Sequence, residues 1–237
     1  MIMYKRVVLK LSGEALKGNS GFGIDPKTVK SICLEIKDIL TLGIELIIIV
    51  GAGNLWRGKN ASDLGMDRSQ ADYMGMLGTI MNGLALQDGL ESIGVPTRVM
   101  SALNVNAVAE PYIRRRALRH LEKGRVVIIS GGTGAPYFST DTAASLRAAE
   151  LAAECILMAK NGTEGIYDKD PKIFKDAKLY NVITFAEILN KQLGVMDSTA
   201  VSMARENHIQ IKVFSMNKVG NIKKAIMGEK IGTTVIE

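Results

Sequence analysis

Four short apolar runs mark this chain, and each breaks at a glycine or small polar turn. Arg6-Val-Val-Leu-Lys-Leu11 runs into Ser12-Gly13, and Leu46–Val50 into Gly51-Ala-Gly53. Val126–Ser130 runs into Gly131-Gly-Thr-Gly134, and Cys155–Ala159 into Lys160-Asn-Gly162. Apolar runs of this length read as buried strands. Several strands therefore deliver turns to one edge of one sheet, where an open α/β sheet binds its ligand.

Between the runs the period changes. Residues 27–42 place Val29, Ile32, Cys33, Ile36, Ile39 and Leu40 on one helical face. Asp25-Pro26 reads as an N-cap with proline at the first position, and Gly43 as the stop. Further helices are predicted over 68–93, 110–123, 142–153, 184–191, 198–207 and 219–227. Gly75, Gly78 and Gly83 weaken the long helix 68–93 but allow close approach of a second helix. Thr140 or Asp141 is the expected cap of 142–153. The remaining strands are about 5–11, 44–50, 95–100, 125–130, 155–159, 210–215 and 232–236, with an irregular stretch at 160–180. Strands alternate with helices almost throughout. The expected fold class is α/β, a three-layer α/β/α sandwich on a mostly parallel sheet, with residues 1–237 as a single domain.

Composition narrows the setting. The length of 237 residues suits one large domain. Aliphatic residues dominate over aromatics, as in a parallel sheet covered on both faces. The net charge of +6 favours anionic ligands, though 24 acidic residues are interspersed with 30 basic ones. The two cysteines, Cys33 and Cys155, lie far apart in apolar contexts and read as buried free thiols. No apolar run reaches the ~20 residues of a bilayer span. The first strand begins too early for a signal peptide, so a cytoplasmic protein is expected.

The candidate chemistry gathers at the turns. Lys10 ends a buried strand beside the free backbone N–H groups of Ser12-Gly13, a good place to hold phosphate. Gly53-Asn-Leu-Trp-Arg-Gly-Lys-Asn60 nearly spells a Walker A loop, but Asn60 stands where serine or threonine should meet magnesium. The glycines still let backbone approach an anion, and Arg57 suits a bidentate grip on phosphate. Gly51-Ala-Gly53 opens a dinucleotide fingerprint whose third glycine would fall at Trp56, which disfavours a Rossmann site. Asp72 could accept bonds from ribose hydroxyls, although a solvated helix face explains it more simply. Thr133-Gly-Ala-Pro-Tyr-Phe-Ser-Thr140 is a rigid polar-aromatic loop suited to a planar base. Asp141 either orients Lys10 or caps a helix. Arg114-Arg-Arg116 and Arg119 read as a solvated basic face, and nucleic acid is not an expected partner. His120 and His208 have no partner at ligand spacing.

Taken together, the segments resemble the bacterial UMP kinases of the amino-acid-kinase superfamily. The residues that carry this are Lys-Leu-Ser-Gly-Glu-Ala-Leu at 10–16, Gly-Asn-Leu-Trp-Arg-Gly at 53–58 and Ala-Asp-Tyr-Met-Gly-Met at 71–76. Thr133–Thr140 and Gly-Ile-Tyr-Asp-Lys-Asp-Pro at 165–171 extend it over essentially the whole chain. The resemblance implies the amino-acid-kinase fold and ATP + UMP ⇌ ADP + UDP. It also implies magnesium held mainly by ATP phosphates and water, with no protein metal site. It divides the domain into an acceptor half, roughly 1–155, and an ATP half, roughly 156–237. Carried over by motif, Lys10, Arg57, Asp141 and Asp197 are catalytic. Lys10, Leu11, Ser12, Gly13, Gly53, Arg57, Asn161, Tyr167 and Asp170 serve ATP. Ala52, Asp72, Thr133, Gly134, Ala135, Pro136, Tyr137, Phe138, Ser139 and Thr140 serve UMP. A homohexamer is implied, with GTP as activator and UTP as inhibitor. The segment Gly18, Asn19, Ser20, Gly21, Phe22 and Gly23 matches the GTP-linked stretch; read by itself it is equally an ordinary flexible connection. The chain departs from the family pattern at Ala52, Ala135 and Tyr137, and its Lys160–Gly165 segment is one residue longer than in some members.

Overall fold

The computed structural model of the chain describes residues 4–56, 65–194 and 196–237. The apolar runs are strands: β1 Arg6–Leu11, β2 Glu45–Val50, β3 Thr97–Ser101, β5 Val126–Ser130, β6 Cys155–Lys160, β8 Gln210–Ser215 and β9 Thr233–Ile236. Two strands were not expected. Glu110–Pro111 forms β4 and Val182–Thr184 forms β7. The order across the sheet is β4-β3-β5-β2-β1-β6-β8-β9-β7. Pairing is parallel except between β8 and β9.

The helices are α1 Pro26–Leu40, α2 Arg68–Glu91, α3 Arg114–Glu122, α4 Thr140–Glu150, α5 Phe185–Asn190, α6 Ser198–Glu206 and α7 Asn221–Ile226. The strand alternation of side chains splits the core in two. Leu9, Leu11, Leu46, Ile48 and Val50 pack under α1, α2 and α7. Val8, Ile47 and Ile49 pack under α3, α4, α5 and α6. This is the three-layer sandwich the sequence predicts.

Local signals explain most boundaries. Asp25 caps α1 by accepting from the Thr28 N–H at 3.0 Å, with Pro26 at the first position. Gly43 supplies the left-handed turn, φ 74°, that ends it. Helix α4 corrects the expected cap. Ser139, not Thr140 or Asp141, accepts from the N–H groups of Asp141 and Thr142. The basic helix begins at Arg114 rather than 110, because Glu110 and Pro111 extend along Met100 and Ser101 at the sheet edge. The glycines of α2 also act differently from the expectation. A Cβ at Gly78 would lie 2.9 Å from Ala52 Cβ, and one at Gly83 2.4 Å from Ser130 Oγ. They let α2 approach a loop and a strand. It is Gly89, 2.8 Å from Cys33 Sγ by the same measure, that lets α1 approach.

Candidate active site

Parity along β1 and β6 builds the centre. The two strands are parallel neighbours with Leu11 opposite Ala159, so Lys10 and Lys160 leave the same sheet edge. Lys10 shares a face with Val8, and Lys160 with Met158, so both reach toward α4. The first turn of α4 presents Asp141 to them. Its Oδ1 lies 2.6 Å from Lys10 Nζ and its Oδ2 3.6 Å from Lys160 Nζ. Burial works against the Asp141 carboxylate, but Lys10 and then Lys160 outweigh it and hold the carboxyl below its ordinary range. Burial, joined by repulsion from Lys10, holds Lys160 below the ordinary lysine value against the pull of Asp141. Of the two sequence readings of Asp141, the geometry selects the one that orients Lys10.

Asp197 locks the neighbouring helix starts together. It caps α6 through the Ala200 N–H at 2.9 Å and accepts from Thr142 Oγ1 at 2.8 Å and from the Ser139 hydroxyl. Beside this centre two glycine turns meet. A Cβ at Gly13 would lie 2.4 Å from the Gly51 carbonyl oxygen, so only glycine allows the contact. Ser12 and Leu11 lead into that turn, and Gly53 lies in the second. Arg57, expected to grip phosphate here, lies outside the described residues.

A cleft of about 150 Å³ is lined by Ala52, Trp56, Asp72, Met76, Thr79, Gly132, Thr133, Phe138 and Thr140, among others, several of them residues expected to serve the acceptor. Asp72 is not a freely solvated helix residue. It accepts from Arg68 Nε at 2.9 Å and from the Tyr137 N–H at 2.8 Å. That bond fixes the 133–140 loop, in which Tyr137 adopts φ 71°. Gly134, Ala135 and Pro136 shape the loop without lining the cleft, Tyr137 projects outward, and Ser139 is spent on capping. Trp56 was not singled out as a site residue. Its Nε1–H donates to the Ala71 carbonyl at 2.8 Å, which holds the indole as a cleft wall.

A second cleft, about 530 Å³, opens beyond Lys160. Tyr167 and Asp170 line it with Lys160, Thr163, Lys172 and Gly194. Asn161 is exposed and is not among its lining residues. The Gly18–Gly23 segment is apart from both clefts, with Phe22 exposed, but Gly23 is bonded to Asn54 in the second glycine turn. Among the described residues there is no group of three or more His, Cys, Asp or Glu side chains placed to hold a metal.

Comparison with known proteins matches the amino acid kinase family over residues 5–215. The chain belongs to that family. A uridylate kinase from Aster yellows witches'-broom phytoplasma is 62% identical over 236 residues, covering 99% of this chain and 98% of the relative. One from Limosilactobacillus reuteri is 56% identical over 234 residues, 99% of this chain and 98% of the relative. Among solved structures, a UMP kinase from Bacillus anthracis superposes with TM-score 0.95 at 41% identity, over 98% of this chain and 96% of the other. One from Ureaplasma parvum gives 0.93 at 40%, over 98% and 99%.

Within this family member, Lys160 is the central residue that the sequence reading missed. In the sequence it stands at the start of the Lys160-Asn-Gly162 turn. The available signal was the one that found Lys10: a lysine at the end of a buried apolar run, followed by a small polar turn.

Proposed function

We propose that this protein transfers the γ-phosphoryl group of ATP to the phosphate of UMP, giving ADP and UDP, as the names of its full-length relatives indicate. The observation that carries the reading is the Lys10–Asp141–Lys160 centre, with Thr140, the chain neighbour of Asp141, lining the smaller cleft and Lys160 lining the larger. The smaller cleft has a carboxylate, Asp72, and a base-sized loop. The larger has Tyr167 and Asp170.

Phosphoryl transfer needs positioning and charge stabilisation more than covalent help. The acceptor phosphate is already a nucleophile near neutral pH, so no general base is required. Lys10 and Lys160 meet charge developing on the transferred group, and Asp141 keeps both aimed at it. The N–H groups of the glycine turns add fixed dipoles. Asp141 and Asp197 are engaged by lysines, hydroxyls and a backbone N–H, a donor set that fits magnesium held mainly by ATP phosphates and water. Held that way, magnesium would supply charge neutralisation on the ATP phosphates.

The same reading includes a homohexamer, activation by GTP through the 18–23 segment, inhibition by UTP and a cytoplasmic setting. Among the described residues no helix is long and apolar enough to cross a membrane. ADP release is the decisive assay, run with ATP against each of the four ribonucleoside monophosphates. UMP alone should be turned over efficiently. Uracil offers an N3 donor beside an O4 acceptor and cytosine reverses both, so a rigid loop rejects CMP by ~10⁴. Comparable kcat/KM for UMP and CMP would refute a rigid base readout. Preference for an acyl or carbamate acceptor would overturn the assignment.

A further inference from the structure

Two asparagines that play no part in the chemistry above form a sealed reciprocal pair. Asn54 lies in the second glycine turn and Asn82 in the middle of α2, and both are essentially inaccessible to solvent. Asn54 Nδ2 donates to Asn82 Oδ1 at 3.0 Å, and Asn82 Nδ2 donates to Asn54 Oδ1 at 2.7 Å. Each amide spends its second hydrogen outside the pair. Asn82 donates to the Gly51 carbonyl at 2.7 Å, and Asn54 donates to the Gly23 carbonyl at 2.8 Å. The Gly23 N–H returns to the Asn54 carbonyl at 2.9 Å. All four amide hydrogens are used, so the orientation is determined. A flipped Asn82 would set its oxygen against that of Gly51.

The geometry points to this pair as a positioning device that fixes the 51–56 turn and ties it to the 18–23 segment. The two anchoring points are unlike. Gly51 sits against Gly13 in the centre, where an added Cβ would strike backbone. Gly21 and Gly23 have positive φ and nothing within 4 Å of an added Cβ. One end of the link is clamped; at the other, Gly21 and Gly23 have open space beside them and Gly23 is held by its two bonds to Asn54. Buried, fully satisfied polar networks hold one arrangement, because any other leaves a polar group unpaired. A change at Gly23 therefore reaches the acceptor-side turn at Asn54, and through the Asn54 and Asn82 side chains it reaches Gly51.

This rests on the reading of the Ala52–Asp72 cleft as the acceptor side. The test uses Asn82→Leu, Asn54→Ala, Gly23→Ala and the double variant Asn54→Ala/Gly23→Ala, with Asp72→Asn as control. The observables are kcat, KM for each nucleotide and the thermal midpoint. Asn82→Leu and Asn54→Ala should raise KM for UMP about tenfold while KM for ATP moves less than about twofold. Gly23→Ala should raise KM for UMP in the parent but not in the Asn54→Ala background, the non-additivity of coupled residues. Additive effects, or both KM values rising together as the thermal midpoint falls, would overturn the inference. If Asn82→Leu does not fold, the Asn54–Gly23 cycle decides alone. Unchanged KM for UMP in Asp72→Asn would instead sink the acceptor assignment. A raised value there with unaltered amide variants sinks only the positioning role.

Discussion

Lys10, Asp141 and Lys160 form a triad in which one carboxylate faces two ammonium groups. In the proposed mechanism Lys10→Ala removes a charge that faces the transferred group, and such losses cost about 10²–10³ in rate. The expected outcome is a folded enzyme with kcat reduced by that factor in the ADP-release assay. A near-normal kcat would remove Lys10 from the chemistry. Asp141 gives a stability prediction with a definite sign. Its folded carboxyl lies below the ordinary range. Its contribution is therefore complete above the unfolded pKa of about 4 and is lost as pH falls through the folded value. Asp141→Asn removes the buried carboxylate that both lysines face. It should lower unfolding free energy at pH 7 by about 3 kcal/mol and flatten the acid limb of the thermal midpoint against pH. Lys160 acts in the opposite sense at the alkaline end. Its lowered pKa is a cost at neutral pH that fades as pH rises from the folded value toward the ordinary one. A variant with the parent's acid limb would show that Asp141 is not ionised in the fold.

At the scale of elements, the 51–56 turn is held between β1 and α2, and glycine makes both contacts possible. Gly78→Ala sets two effects against each other. Alanine favours the helix by about 1 kcal/mol. The new Cβ, however, meets Ala52 Cβ at 2.9 Å, and overpacking costs about 1–3 kcal/mol. Ala52 is fixed to backbone and cannot swing away, so the clash should win. A lower urea midpoint and a raised KM for UMP are expected, and a stabilised variant would mean that the turn yields freely. The same elements explain what the sequence could reveal. β1, β2, β5 and β6 were legible because strands buried on both faces need unbroken apolar runs. β4 and β7, of two and three residues, sit on the sheet margins and carry no such run. Ser139-Thr140-Asp141 offers three successive capping types, and only the backbone selects Ser139. The 133–140 loop was legible, but not its division into cleft wall, loop shape and cap. The Asn54–Asn82 pair joins residues 28 apart in the chain, and no local pattern announces it.

At the scale of the molecule, parallel strands put the C-terminal ends of β1, β2, β5 and β6 on one edge, the edge at which both glycine turns and the paired lysines lie. The β7 margin of the sheet ends differently: β9 runs antiparallel to β8 and β7 pairs parallel with β9, closing the sheet with short strands. A further surface is left unexplained by a single chain. Along α2, Tyr73, Leu77 and Met81 recur every fourth residue, with Met74 beside them, and all four side chains are exposed. Residues at this spacing form one continuous helix ridge. In the proposed homohexamer, the natural partner of such an exposed apolar ridge is a second copy of the same ridge. Leu77→Lys combined with Met81→Lys places like charges on both sides of such a contact. Sedimentation velocity should then report a smaller particle, while far-UV circular dichroism stays unchanged because neither side chain supports the core. An unaltered particle mass would exclude this ridge from subunit contact. A monomeric parent protein would remove the hexamer altogether.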